Sequence, residues 1–298
     1  MYSKKPMKFR ISNSTFGVLC TVPGLVALAT FIGYPIVYNV IVSFSKYRFA
    51  PGPFIGLGNY RLLVTGHHFF TSLKIAVLYS TGSTLLAFVV SIVLAEALQR
   101  ISKGKVFFRT IVILPWAVPL VLSGIIFKWM FDNEIGVVNY MLRALGIADS
   151  NLPFLSTSSL ALAVAIMATA YVYIPFMTVL IHAGRQAIPK ELYEAAEIDG
   201  ADEIDKMRYI TFPLNKYQMS ISVLIVWLFT FRTPDLIFSL TRGGPGKTTY
   251  HIGLFLRDLI YRYVDFGRGA ALGVVIFLVC LLAVGMFLVY FVWSERRS

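Results

Sequence analysis

The sequence predicts an all-α integral membrane protein with six transmembrane helices, and three observations carry that prediction. Apolar residues make up 57% of the 298, and the mean hydropathy is +0.72. Charged residues make up 14%, where a soluble domain carries about a quarter. The charges also fall between long charge-free runs, each near the roughly 20 apolar residues that a helix needs to cross a bilayer.

After Lys4, Lys5, Lys8 and Arg10, no charge appears from Ile11 to Ser45, so a first span is expected to start near Phe16. A second is expected over 71–98, charge-free from Ile75 to Ala95. Its Ser80, Thr81, Gly82, Ser83 and Thr84 are small enough for close helix packing. A third is expected from Thr110 to about Phe131, and a fourth from Leu160 to Ala183. Between them Val138, Met141, Leu142 and Leu145 repeat at helical spacing, which predicts a short amphipathic helix outside the membrane. The fifth, 217–240, is interrupted by Arg232 and Asp235, and the sixth, 269–293, is unbroken. These bounds give a tail over 1–15, a membrane domain over 16–293 and a tail over 294–298. Pro23, Pro35, Pro115, Pro119, Pro175 and Pro234 fall inside the spans. Each frees a backbone carbonyl and allows a kink. Such kinks suit a path that opens on alternate sides, although membrane helices are proline-rich in any case.

Orientation follows from the basic residues. With the N-terminus inside, fifteen Lys and Arg lie on inner segments and ten on outer ones, which places both termini in the cytoplasm. The net charge of +12 sits in short clusters beside apolar runs and forms no stripe, which excludes nucleic-acid binding. Cys20 and Cys280 lie inside apolar runs, with no disulfide implied. The first apolar run is too long for a cleavable signal.

The most polar stretch runs from Ile188 to Leu214 and joins the fourth and fifth spans. Seven of the fifteen acids fall in it: Glu191, Glu194, Glu197, Asp199, Asp202, Glu203 and Asp205. Pro189 suits a first helical position, and Glu191 the positive end of the helix dipole. Leu192, Ala195 and Ala196 share one face. Gly200 falls where a left-handed residue ends a helix. Asp202 is placed to cap a second helix, with Pro213 at its far end. Glu194 is read as lying near the end of the first helix, where the dipole disfavours an acid.

Glu194-Ala195-Ala196, then Gly200 after three intervening residues, then Ile210 and Phe212-Pro213, resembles the EAA loop of permease subunits in bacterial ABC importers. Ile188-Pro189 and Asp199-Gly200-Ala201 also fit; Phe212 and Met207 depart from the family's usual leucine and aromatic. The resemblance implies a type I importer fold. It also implies that Glu194, Ala195, Ala196, Asp199, Gly200, Ala201, Ile210 and Pro213 form a cytoplasmic coupling helix seated on an ATPase. The run from Phe54 to Tyr60, FIGLGNY, resembles the segment after the first span of maltose- and glycerol-3-phosphate-type permeases. Arg109, Leu114-Pro115, Trp129, Phe131, Gly136, Asn139 and Leu142 match further along, as do Leu240-Thr241, Gly243-Gly244-Pro245 and Thr248. The maltose subunit's large extracellular insertion is absent.

Residues 241–248, TRGGPGKT, invite a phosphate-loop reading, but Thr241 stands where that loop needs glycine. The chain is therefore not read as an enzyme. The resemblance implies that ATP and Mg are bound by a partner ATPase, with no cofactor in this chain. The implied assembly is a second, different permease subunit, two ATPase subunits and an extracytoplasmic solute-binding protein, set in the lipid of a bacterial inner membrane. The implied cargo is a sugar or glycerol phosphate. Arg232 and Asp235 stand three apart, able to meet on one helix face, and a charge at membrane depth costs about 2.5–3.5 kcal/mol. They line the path or neutralise each other near the outer interface. Tyr171, Tyr173 and Trp227 lie at a depth suited to stacking on sugar rings or to packing. No metal site is expected, since His67, His68, His182 and His251 share no ligand spacing. Two other readings stay open. One is an ABC permease for a polyamine or peptide. The other is a gradient-driven transporter, which needs a mid-membrane acid that the spans, Asp235 and Glu96 aside, lack.

Overall fold

The computed structural model describes residues 13–101 and 103–295. Lys4, Lys5, Lys8, Arg10, Arg296 and Arg297, counted above for orientation, lie outside the described residues.

The first span is α1 (Asn13–Leu28), continued through a π-helical turn (Ala29–Gly33) into α2 (Tyr34–Ser43). Pro23 is carried inside the helix. An antiparallel hairpin follows, β1 (Ser45–Tyr47) with β2 (Pro51–Phe54), and then α3 (Gly58–Thr65). An all-helical reading had no place for that hairpin. The FIGLGNY run explains it locally. The Asn59 side-chain amide donates to the carbonyls of Ser43 and Ser45, both at 2.9 Å. The Tyr60 hydroxyl lies 2.7 Å from Ser43 Oγ. These bonds fasten the end of the first span to the start of α3.

Two long helices, α4 (Phe69–Arg100) and α8 (Ser158–Gln186), form the centre. Ala76 and Ala87 on one, and Ala161, Ala165 and Ala168 on the other, are fully buried. Such small side chains let two backbones approach closely, which is how helices associate where no hydrophobic drive separates them from lipid. The Tyr79 hydroxyl and Thr169 Oγ1, 2.5 Å apart, hydrogen-bond across the pair. Ser80 and Ser83 are buried as well, in keeping with a packing role.

The third and fifth spans are not straight. The third is α5 (Lys105–Ile113), a 3₁₀ turn (Leu114–Ala117) and α6 (Leu120–Met130), bent by 92°. The fifth is a helix from Glu203 to Arg232, then α12 (Asp235–Thr241), bent by 51°. One cause explains both breaks. The residue before a proline is pushed out of helical geometry by the proline ring. Val118, before Pro119, takes φ −82° and ψ 127°; Thr233, before Pro234, takes φ −106° and ψ 111°. Pro175 is instead absorbed inside α8. The two broken arms then pack on each other. At Gly124 of α6 a side chain would strike Ser239 Oγ and the Leu236 carbonyl of α12, so only glycine admits that approach. Four single helices are long and apolar enough to cross a membrane, and six spans result when each bent pair counts as one.

The expected amphipathic helix is α7 (Val137–Ala144), with Val138 packed on the core. The α13 helix (Ile252–Tyr261) and the last span, α14 (Phe266–Glu295), complete the chain, and α14 lies against α2. The apolar side chains of α1 are left exposed, Cys20 among them. An apolar groove of about 610 Å³ runs between α4, α14 and the helix Phe212–Arg232, lined by Val77, Phe88, Val223, Trp227, Leu282 and Met286.

Candidate functional site

The acidic stretch forms a helix, a turn and a second helix at one end of the molecule. The first, α9 (Lys190–Ile198), begins after Pro189, which caps it one residue earlier than expected. Its end is built as the glycine pattern predicts. Gly200 takes φ +83°. The Gly200 N–H donates to the Glu197 carbonyl at 3.1 Å, and Ala201 N–H donates to Ala196 at 2.9 Å. That double bond pattern satisfies the last carbonyls of the helix and requires the left-handed conformation that glycine adopts without strain. The second helix, α10 (Glu203–Lys206), opens on a capping box in which Asp202 and Asp205 each accept the other's backbone N–H. Contrary to expectation, Pro213 does not end this helix. The chain passes through a π-helical turn (Met207–Thr211) directly into α11 (Phe212–Arg232), with Pro213 carried just after that turn. The loop is therefore continuous with the fifth span.

Charge is distributed unevenly over the loop. Lys206 Nζ pairs with Glu197 at 2.7 Å and with Glu203 at 3.0 Å, and Arg100 pairs with Glu203 at 2.5 Å. The hydrogen bond from Lys206 holds the Glu203 carboxyl below its usual range. Glu191, Glu194 and Asp199 are exposed and carry no ion pair among the described residues. Glu194 sits at the middle of α9, not near its end, so the helix dipole does not disfavour it there. Leu192 is exposed, and so to a greater degree are Ile198 (87%) and Ile204 (74%). Ala195 is exposed beside Glu194, Ala196 is half-buried, and Ile210 is half-buried under the turn. Large apolar side chains thus stand exposed beside unpaired acids on this face.

Sequence reasoning missed what holds this loop to the membrane body. Arg185 at the end of α8 lies 3.3 Å from Glu96 on α4 and 3.8 Å over the ring of Tyr193 on α9. The Tyr193 hydroxyl lies 2.9 Å from Thr211 Oγ1 in the π turn. Nearby, His182 Nε2 is 2.9 Å from Arg109 Nη2, and its Nδ1 is 3.2 Å from the Ala95 carbonyl. The carbonyl can only accept, so Nδ1 carries the hydrogen and Nε2 accepts from the guanidinium. The signal available in sequence was topological: Glu96, Arg109, Arg185 and Tyr193 all fall at the same ends of their spans.

The five residues expected along a path are not gathered in one cavity. Tyr171 is half-exposed beside Phe127 and lines a cleft of about 400 Å³ with Ser123 and Met167. Tyr173 is buried, stacked on Phe229 at 6.2 Å. Trp227 stacks on Phe231 at 4.9 Å, donates to Thr81 Oγ1 at 3.2 Å and faces the separate groove beside α14. Arg232 and Asp235 do not share a helix face, because the break at Pro234 comes between them, and no ion pair joins them. Both are exposed, and the Arg232 guanidinium lies 5.8 Å from the Phe229 ring. The 241–248 segment follows helix α12 and not a strand, so its surroundings do not fit a phosphate loop.

A family model described as binding-protein-dependent transport system inner membrane component matches residues 87–294. The trehalose/maltose transport system permease protein MalF of Thermococcus litoralis is 33% identical over 276 residues, 92% of each chain. The sn-glycerol-3-phosphate transport system permease protein UgpA of Rhizobium meliloti is 29% identical over 289 residues, 96% of each. The fold matches a chain in a bacterial alginate ABC transporter in complex with alginate pentasaccharide-bound periplasmic protein. The TM-score is 0.78 at 21% identity, covering 91% of this chain and 92% of that one.

Proposed function

The chain belongs to the family of inner-membrane components of binding-protein-dependent transport systems, and we propose that it serves a carbohydrate importer driven by ATP. It is a transporter subunit and not an enzyme. Relatives named for trehalose/maltose and for glycerol-3-phosphate, each aligned over more than nine tenths of both chains, support a sugar or glycerol phosphate as cargo. In this reading the chain supplies half of the path, and a second, different permease supplies the other half. The apolar faces left bare on α1 and in the groove beside α14 suit such a neighbour. An extracytoplasmic binding protein delivers the solute. Two cytoplasmic ATPase subunits bind ATP and Mg.

The observation that carries the coupling role is the acidic loop. Unpaired Glu191, Glu194 and Asp199 and exposed Ile198 on and just after α9, with exposed Ile204 on the helix continuous with the fifth span, offer a docking face and a lever together. The orientation counted from basic residues puts this face in the cytoplasm, where the ATPases are. Arg232 and Asp235 stand 20 to 23 residues beyond Phe212, about 30 Å along the helix, so they flank the outer end of the path. The test is site-directed cross-linking in the assembled transporter. A photo-reactive residue at Glu194 or Ile198 is expected to capture the ATPase subunit; one at Trp129, on the far end, is not. Capture from Trp129 alone overturns the assignment of sides.

A further inference from the structure

We propose that Tyr193, clamped between Arg185 and Thr211 and backed by Glu96, is the positioning residue through which movement of α9 reaches the second, fourth and fifth spans together. The inference rests on the coupling role proposed above for the loop, and names the part of it that does the transmitting.

Few contacts hold α9 in place. Among the described residues none on α9 is fully buried, so the helix rides on the surface and is not packed into it. Lys206 ties Glu197 to α10, but that link stays within the loop. Among the described residues of α9, Tyr193 is the one whose side chain contacts the membrane body on two sides. Its ring face receives the Arg185 guanidinium from α8 at 3.8 Å. Its hydroxyl reaches Thr211, which is buried at 2% exposure where the loop enters α11. Arg185 Nε lies 3.3 Å from Glu96 Oε1 on α4, an ionic contact without hydrogen-bond geometry.

The pair is also sheltered from water. The Arg185 and Glu96 side chains are 14% and 18% exposed, against 66% and 63% for the surface pair of Arg100 and Glu203. Water screens a sheltered pair less and leaves its geometry better defined. The planar guanidinium can stack on an aromatic ring and face a carboxylate at once, which an ammonium cannot. Four side chains thus connect one surface helix to three spans, and a push on α9 has a route besides the backbone turn at Gly200.

The experiment uses the complete transporter in lipid nanodiscs or proteoliposomes, with ATPases and binding protein, and reads solute imported per ATP hydrolysed. Tyr193→Ala and Arg185→Gln are expected to lower that ratio about two- to thirtyfold, with the complex assembled and its melting temperature little changed. Tyr193→Phe keeps the stack and loses only the hydroxyl, so it is expected to fall less. Arg185→Lys is expected to rescue little. An unchanged ratio in Tyr193→Ala and Arg185→Gln overturns the proposal. So does a parallel fall of uptake, hydrolysis and assembly, which means a merely structural contact. Gly200→Val is measured alongside. If it lowers the ratio while the Tyr193 and Arg185 variants do not, this inference fails and the coupling role stands. If none of them does, the coupling role fails first.

Discussion

At Gly200 the local cost of a substitution can be separated from its effect on a partner. A Cβ built there meets no atom within 4 Å, so the chain itself leaves room for a side chain. Only the positive φ resists, at about 1 kcal/mol for alanine. Gly200→Ala is therefore expected to leave the unfolding midpoint of the purified complex within a few degrees, by calorimetry or fluorescence. A drop much beyond that means the turn is packed against something this chain does not contain. Asp235 is the other residue with a separable prediction. It is exposed and unpaired with Arg232, so neutralising it removes no internal ion pair. Asp235→Asn is expected to alter transport while leaving assembly and binding-protein-stimulated hydrolysis intact; failure to assemble points to a structural role instead. Much at this scale was legible in sequence, because Gly200 and Asp202 act through bonds to residues within four positions. Tyr193 was not legible, since its partners at Glu96 and Arg185 come from other spans and no local spacing reports them.

At the scale of elements, proline chemistry decides the shapes. The same residue type is absorbed at Pro175 and breaks the helix at Pro119 and Pro234. What differs is that the two broken arms find each other, α6 against α12 at Gly124. A six-residue count of prolines told that kinks were permitted but could not say which ones tertiary packing would use. The bend of the third span has a measurable length. Arms of 12 and 11 residues, at about 1.5 Å per residue, place their far ends about 25 Å apart at 92°, and about 35 Å apart if straight. Spin labels at Val106 and Trp129, both exposed, are expected to report the shorter distance by pulsed electron resonance. A distribution centred on the longer one removes the break. Element existence was largely readable from charge-free runs. The hairpin at 45–54 was not, because three- and four-residue strands are too short to show an alternating pattern.

For the whole molecule, two central helices are flanked by broken ones, with the first span at the edge and only its α2 half packed, against α14. Burial falls from 61% in the apolar stretch of α8, through 33% in α4, to 0% in the first span. Which spans would be left bare was the element that composition alone could not supply. The account also fixes a direction. A cysteine at Lys103 is expected to react with a membrane-impermeant reagent only from the cytoplasmic side, and one at Gly244 only from outside; the reverse pattern inverts the orientation. The central claim is that the loop at 188–214 couples the spans to an ATPase. It is tested most directly by uptake in cells expressing Gly200→Val at normal levels. Valine at φ +83° is a strained β-branched residue on the face assigned to the ATPase, and neither effect touches the membrane domain. The account predicts an inserted, folded permease with uptake sharply reduced. Uptake near the unmodified level contradicts it.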